Sequence, residues 1–193
     1  AANAFDEAKK INTLAAYEDF LQKHGDSEFV PEVLILKEQS CFEEAKQKNT
    51  IEAYDGYINA YPQGRFLNET RILREERFFE EVKQKRTLFA CDSYLHTFPA
   101  GRHVSQVFII KDDLTFERAK AIHQIQAYQE YLTGFPQGMH AQEPQDTIEL
   151  LTFETDLSLV KAEDFQPTHS EEEQERLAKI VQHYEYYLQQ YPQ

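Results

Sequence analysis

The sequence predicts an all-α fold of antiparallel helix pairs, about four and a half repeats long, and three observations predict it. The first is a recurring string: NTIEAYDGYINAYPQGRF, Asn49 to Phe66, has altered copies at Ile11–Phe29, Arg86–His103, His123–His140 and Val181–Gln193. Tyr17, Tyr54, Cys91 and Tyr128 follow one another at 37 residues without slippage, and a fixed period of that size marks a repeat array. The second is helical spacing of apolar residues inside each copy. The third is composition: only 6 Gly in 193 residues, with many Glu, Lys, Gln, Ala and Leu, suits helix.

Taken in order, Ala1 to Asn12 matches Ser40–Asn49 and Arg77–Arg86, so the chain opens in the second half of a repeat. Phe5, Phe42, Phe79 and Phe116 keep the 37-residue period, as do Lys9, Lys46, Lys83 and Lys120. The boundaries are therefore 1–11 for the end of a truncated repeat, then 12–48, 49–85 and 86–122 for regular ones. A fourth at 123–169 carries an insertion, because the last copy starts later after its predecessor than the period allows, and 170–193 is the first helix of a truncated repeat. Two out-of-phase ends read as a piece cut from a longer array or multidomain protein. The end faces left by such cuts, at Tyr184, Tyr187 and Leu188, invite self-association.

Each repeat opens with a capping residue. Thr13, Thr50 and Thr87 offer a side-chain oxygen to the free N–H groups of a first helix. Its apolar positions in the second repeat are Ile51, Tyr54, Tyr57, Ile58 and Tyr61, and Cys91 takes the Tyr54 slot as a small buried residue. Pro62, Pro99 and Pro136 stop this helix, and Gly64, Gly101 and Gly138 are expected to supply a flexible turn. A longer second helix follows, about Phe66 to Lys85, with Leu67, Ile72, Leu73, Phe79 and Val82 as its apolar stripe; Val30, Ile35, Leu36, Phe42 and Ala45 match them one repeat earlier. In the fourth repeat the pattern predicts a helix over Asp146–Val160, a breaker at Pro167 and a final helix over Ser170–Gln190.

The string AYDGYINAYPQGR, Ala53 to Arg65, resembles tetratricopeptide-like repeats of the kind common in bacterial envelope and multidomain proteins. The resemblance covers nearly the whole chain, although the period is 37 residues instead of about 34 and Trp is absent. It implies a right-handed α-solenoid that binds protein or peptide on the side lined by first helices.

Composition narrows the function. A net charge of −14 opposes nucleic acid and anionic membrane surfaces, and no apolar run approaches the roughly 20 residues that span a bilayer. Two cysteines fix no compartment, so cytoplasm and periplasm both stay open. Nucleophile-elbow, phosphate-loop and zinc-protease motifs are missing, so neither an enzyme nor a cofactor is expected. His103 and His140 share one slot, held by Phe29 and Phe66 in earlier repeats, and read as aromatic packing positions instead of metal ligands. Asp6/Lys9, Glu43/Lys46, Glu80/Lys83 and Glu117/Lys120 read as solvated i,i+3 pairs. Arg65 and Arg102, after the turns, are expected to bond neighbouring carboxylates or helix-end carbonyls.

One ladder is a candidate binding face. Outward positions of the first helices carry Glu18, Asp55, Asp92, Gln129 and Glu185, flanked by Asp19, Glu52, Asn59, His96 and Glu130. Such a face attracts a basic or polar protein segment. Two functions follow: a non-catalytic interaction module, or a regulatory arm fused to a peptidase- or hydrolase-type effector elsewhere in a longer protein.

Overall fold

The computed structural model describes residues 1–159 together with 174–175, 178–179, 181–182 and 185–186. The described residues are all helical or in turns, with no strand. The elements are α1 (Ala2–Ile11), α2 (Leu14–Lys23), α3 (Val30–Lys48), α4 (Ile51–Ala60), α5 (Leu67–Lys85), α6 (Leu88–Thr97), α7 (Val104–Ile122), α8 (Ile125–Gly134) and α9 (Gln142–Leu159). From α2 onward, short helices of 10 residues thus alternate with long ones of 18 or 19, as the repeat predicts. The chain divides into two compact units, Ala1–Val107 and Phe108–Gln193, the division falling within α7.

In the first unit each helix from α1 to α6 packs on the next, and in the second α8 packs on α9. The cores repeat as well. Phe5, Tyr17, Phe20 and Val33 form one cluster; Phe42, Ala45, Tyr54 and Tyr57 form the next; and Phe116, Ala119, Tyr128 and Tyr131 form a third, within the second unit. Thr13, Thr50 and Thr87 cap α2, α4 and α6, each accepting from a backbone N–H three residues on, whereas Gln124 opens α8 without a side-chain cap.

Several expectations are corrected. Ile35 and Ile72, placed in the apolar stripe, are each 44% exposed. The buried line of the long helices runs through Val33, Phe42 and Ala45, and residue 35 stands about 200° round the helix from residue 33. The fourth long helix begins at Gln142, with Pro144 buried in its first turn, not at Asp146. It starts where the period puts a second helix, and Phe153 continues the Phe5–Phe116 series. Residue 160, Pro167, most of 170–190 and the end face of Tyr184, Tyr187 and Leu188 lie outside the described residues.

The glycine turns also differ from expectation. Among the described residues no glycine has positive φ; the left-handed positions are Asn12, Asn49, Arg86 and His123, which end α1, α3, α5 and α7. Gly64, Gly101 and Gly138 are needed for space instead: a Cβ there would stand 2.6, 2.8 and 2.5 Å from the hydroxyls of Tyr57, Tyr94 and Tyr131.

Candidate functional site

The turns after α4, α6 and α8 each close over a buried tyrosine paired with a carboxylate of the long helix before it. Tyr57 donates its hydroxyl to Glu38 at 2.7 Å, Tyr94 to Glu75 at 2.7 Å, and Tyr131 to Asp112 at 2.5 Å. The same carboxylates accept the backbone N–H of Arg65, Arg102 and Met139. The tyrosine oxygens in turn accept the N–H of Phe66 and His103, both at 3.1 Å, and that of His140. A Cβ on Gly101 would stand 2.6 Å from the Glu75 oxygen and 2.8 Å from the Tyr94 hydroxyl, so the turn reaches its acceptors only without a side chain. Burial, then the hydrogen bond to the carboxylate, pushes all three phenols well above their usual range.

The first repeat solves the same problem differently. Phe20 replaces the tyrosine, Ala1 stands at the carboxylate position, and Ser27 stands at the glycine position. With no hydroxyl or carboxylate to approach, a side chain fits, and Ser27 Oγ accepts the Phe29 N–H at 3.3 Å. That N–H therefore finds an acceptor in every repeat, as a buried donor must.

A second layer lies beside it. Phe5, Phe42, Phe79 and Phe116 stack on Phe29, Phe66, His103 and His140, with ring centroids 4.6, 4.5, 4.1 and 4.5 Å apart. Lys9, Lys46, Lys83 and Lys120 lie over the same phenylalanine rings at 4.6–4.9 Å. His103 and His140 thus do occupy aromatic packing positions, and their Nε2 atoms meet Glu76 and Asp113, both at 2.9 Å. Where the stacking residue is Phe29 or Phe66, the partner position holds Ala2 or Gln39. The carboxylate arrives together with the imidazole. Among the described residues no group of three or more His, Cys, Asp or Glu is placed to hold a metal ion.

The hydroxyls of the period tyrosines are also engaged: Tyr17 donates to Asn12 at 2.8 Å and Tyr54 to Asn49 at 2.9 Å, while His123 Nδ1 lies 3.0 Å from the Tyr128 hydroxyl. The left-handed residue at the end of one helix thereby ties to the next.

The outward ladder divides in two. Glu18 pairs with Lys37 at 3.0 Å and Asp55 with Arg74 at 2.5 Å, so these two tie a short helix to the following long one. Asp19 pairs along its own helix with Lys23, and Glu130 accepts from Gln126. Glu18, Asp19, Glu52, Asn59, Asp92, His96, Gln129, Glu130 and Glu185 are exposed, and Asp55 is half-buried. Of the i,i+3 pairs, Glu43–Lys46, Glu80–Lys83 and Glu117–Lys120 form, but Lys9 reaches Glu32. Arg102 Nη1 meets Glu76 at 3.3 Å, as expected of it, while Arg65 contributes its backbone N–H.

Two features escaped sequence reasoning. Glu38, Glu75 and Asp112 share one slot of the 37-residue period on the long helices, and an acid recurring beside an apolar stripe was the available signal. Phe89, at the position Glu52 holds one repeat earlier, is 81% exposed, and only the observed outward direction of that slot distinguishes it from a core residue. No model of a known protein family matches the chain, and no curated protein matches it either. No helix among the described residues is long and apolar enough to cross a membrane.

Proposed function

We propose that the chain is a non-catalytic protein- or peptide-interaction module, a right-handed α-solenoid resembling tetratricopeptide-like arrays, whose first helices face a basic or polar partner. The observation that carries this reading is the contrast between repeated and unrepeated side chains. Tyrosines, their partner carboxylates and stacked histidines recur in register and satisfy one another within the fold. Outward positions on α2, α4, α6 and α8 stay exposed and change identity, as Ala15, Glu52, Phe89 and Gln126 do at one slot. Surfaces that bind carry exposed aromatic anchors amid polar residues, and Phe89 has that character. Glu18 and Asp55 serve the scaffold more than the partner, which leaves Asp19, Glu52, Asn59, Asp92 and His96 in the first unit, and Gln129, Glu130 and Glu185 in the second, to meet it.

The test uses fluorescence anisotropy of the full chain with Lys/Arg-rich, neutral polar and acidic peptides of equal length. The basic peptide is expected to bind best, with affinity falling several-fold as salt shortens the Debye length from about 10 Å toward about 3 Å. Asp19→Lys with Glu52→Lys should weaken it by about fivefold or more while circular dichroism is unchanged. Equal binding of the acidic peptide, or an unaffected variant, refutes the reading.

A further inference from the structure

We propose that a cavity in the first repeat receives an arginine side chain from a partner polypeptide. The cavity lies where α1, α2 and α3 meet and encloses about 500 Å3, within the size range of small-ligand pockets. Its walls recur one repeat on. Asn12, Tyr17, Leu36, Glu43, Glu44 and Gln47 line it, and one period later Asn49, Tyr54, Leu73, Glu80, Glu81 and Gln84 are the same residue types in the same order. Three wall positions break the match: Leu14 is followed by Ile51, Gln39 by Glu76 and, with the largest change in size, Ser40 by Arg77.

Arg77 shows what such walls hold. Its positive charge works against the burial that raises the Tyr54 hydroxyl, the equivalent of the cavity-lining Tyr17. Its Nε is fully buried without a hydrogen-bond partner. The third repeat has Leu114 at this position, so both later repeats place a long side chain where the first has a hydroxymethyl group.

The electrostatic setting is repeated too. Glu43 and Glu44 pair with Lys46 and Lys48 at 3.3 and 2.6 Å; Glu80 and Glu81 pair with Lys83 and Lys85 at 2.5 and 2.6 Å. The second repeat thus accommodates its arginine with the carboxylates already paired, and the first presents the same charges. Lys9 lines the cavity as a cation, and its counterpart Lys46, like Arg77, acts through its charge on the Tyr54 hydroxyl. The other polar difference is Gln39 for Glu76, whose carboxylate meets Arg102 and His103. A planar guanidinium with five donors suits this mixture of amide, phenol and carboxylate acceptors better than an ammonium does.

The inference rests on the chain binding a polypeptide, but not on the outward acidic face, so the two fail separately. The full 15N-labelled chain is titrated with acetyl-Gly-Gly-Arg-Gly-Gly-amide, its Lys and citrulline analogues, and N-acetyl-argininamide. The arginine peptide should give saturable shifts at the Ser40 and Gln47 amides, with the citrulline peptide at least tenfold weaker. Ser40→Arg should abolish those shifts with the fold kept, because Arg77 is already accommodated in the same setting; Ser40→Leu, copying Leu114, is the second blocking variant. Asp19→Lys with Glu52→Lys should leave them intact. Absent or unsaturable shifts, equal binding of the citrulline peptide, or binding retained in both blocking variants overturns the proposal. Equal affinity for N-acetyl-argininamide and the peptide overturns the polypeptide source, assigning the site to the free amino acid derivative.

Discussion

Substituting Gly101 tests whether the turn glycines are held by space or by backbone freedom. In Gly101→Ala the new Cβ would stand 2.6 Å from Glu75 Oε1, 2.8 Å from the Tyr94 hydroxyl and 2.8 Å from Phe98 Cβ. No atom tolerates those separations, so the turn must lift. Overpacking of this kind costs about 1–3 kcal/mol. Lifting also stretches the bonds from the Arg102 N–H to Glu75 and from the His103 N–H to Tyr94, and a hydrogen bond to a charged group contributes about 1.5–3 kcal/mol. The expected loss is therefore about 3 kcal/mol. The first repeat supplies the rescue, since it combines Phe20, Ala1 and Ser27. A triple variant, Glu75→Ala, Tyr94→Phe and Gly101→Ser, should be more stable than the summed single losses by at least about 1 kcal/mol, the coupling expected of residues in contact. Urea unfolding followed by circular dichroism measures this without Trp, which the chain lacks. Additive losses, or a Gly101→Ala variant as stable as the parent, would refute the reasoning.

Two further predictions concern the helix ends and pH. Asn49 holds φ 46 and accepts the Tyr54 hydroxyl, so Asn49→Gly should cost about 1 kcal/mol for the lost bond and Asn49→Ala about 1–2 kcal/mol more for left-handed strain; equal losses in the two variants would contradict this. Tyr57, Tyr94 and Tyr131 have hydroxyls raised above their ordinary value of 10.0. The folded state therefore keeps protons that the unfolded chain releases, and stability should hold to about pH 9, then fall as pH rises past 10. Urea midpoints that stay level to about pH 11 would count against it, and Tyr→Phe at the three sites should flatten the decline.

Much of the fold was legible because local chemistry recurs. Thr50 before Ile51, Pro62 after Tyr61 and the fixed interval between Phe42 and Phe79 place helix starts, stops and core contacts without long-range information. The long helices were harder to orient. Ile35 and Leu36 are both apolar, but helix geometry turns them about 100° apart, and only packing against α2 and α4 decides which one is covered. The outward ladder was legible as a row of acids, but not its division. Glu18 and Asp55 look like Glu52 in sequence, and the cations that engage them, Lys37 and Arg74, lie on the following long helix, beyond the reach of a local pattern.

The sequence alone determined the period, the all-helical composition and the alternation of short and long helices, because these follow from capping, propensity and helical spacing. Tertiary structure alone decided why the turn glycines are glycines. Their φ values are ordinary, and the constraint is the close approach of a backbone turn to a tyrosine on the short helix before it and a carboxylate on the long helix before that. That distance in space does not appear along the chain until the helices between are packed.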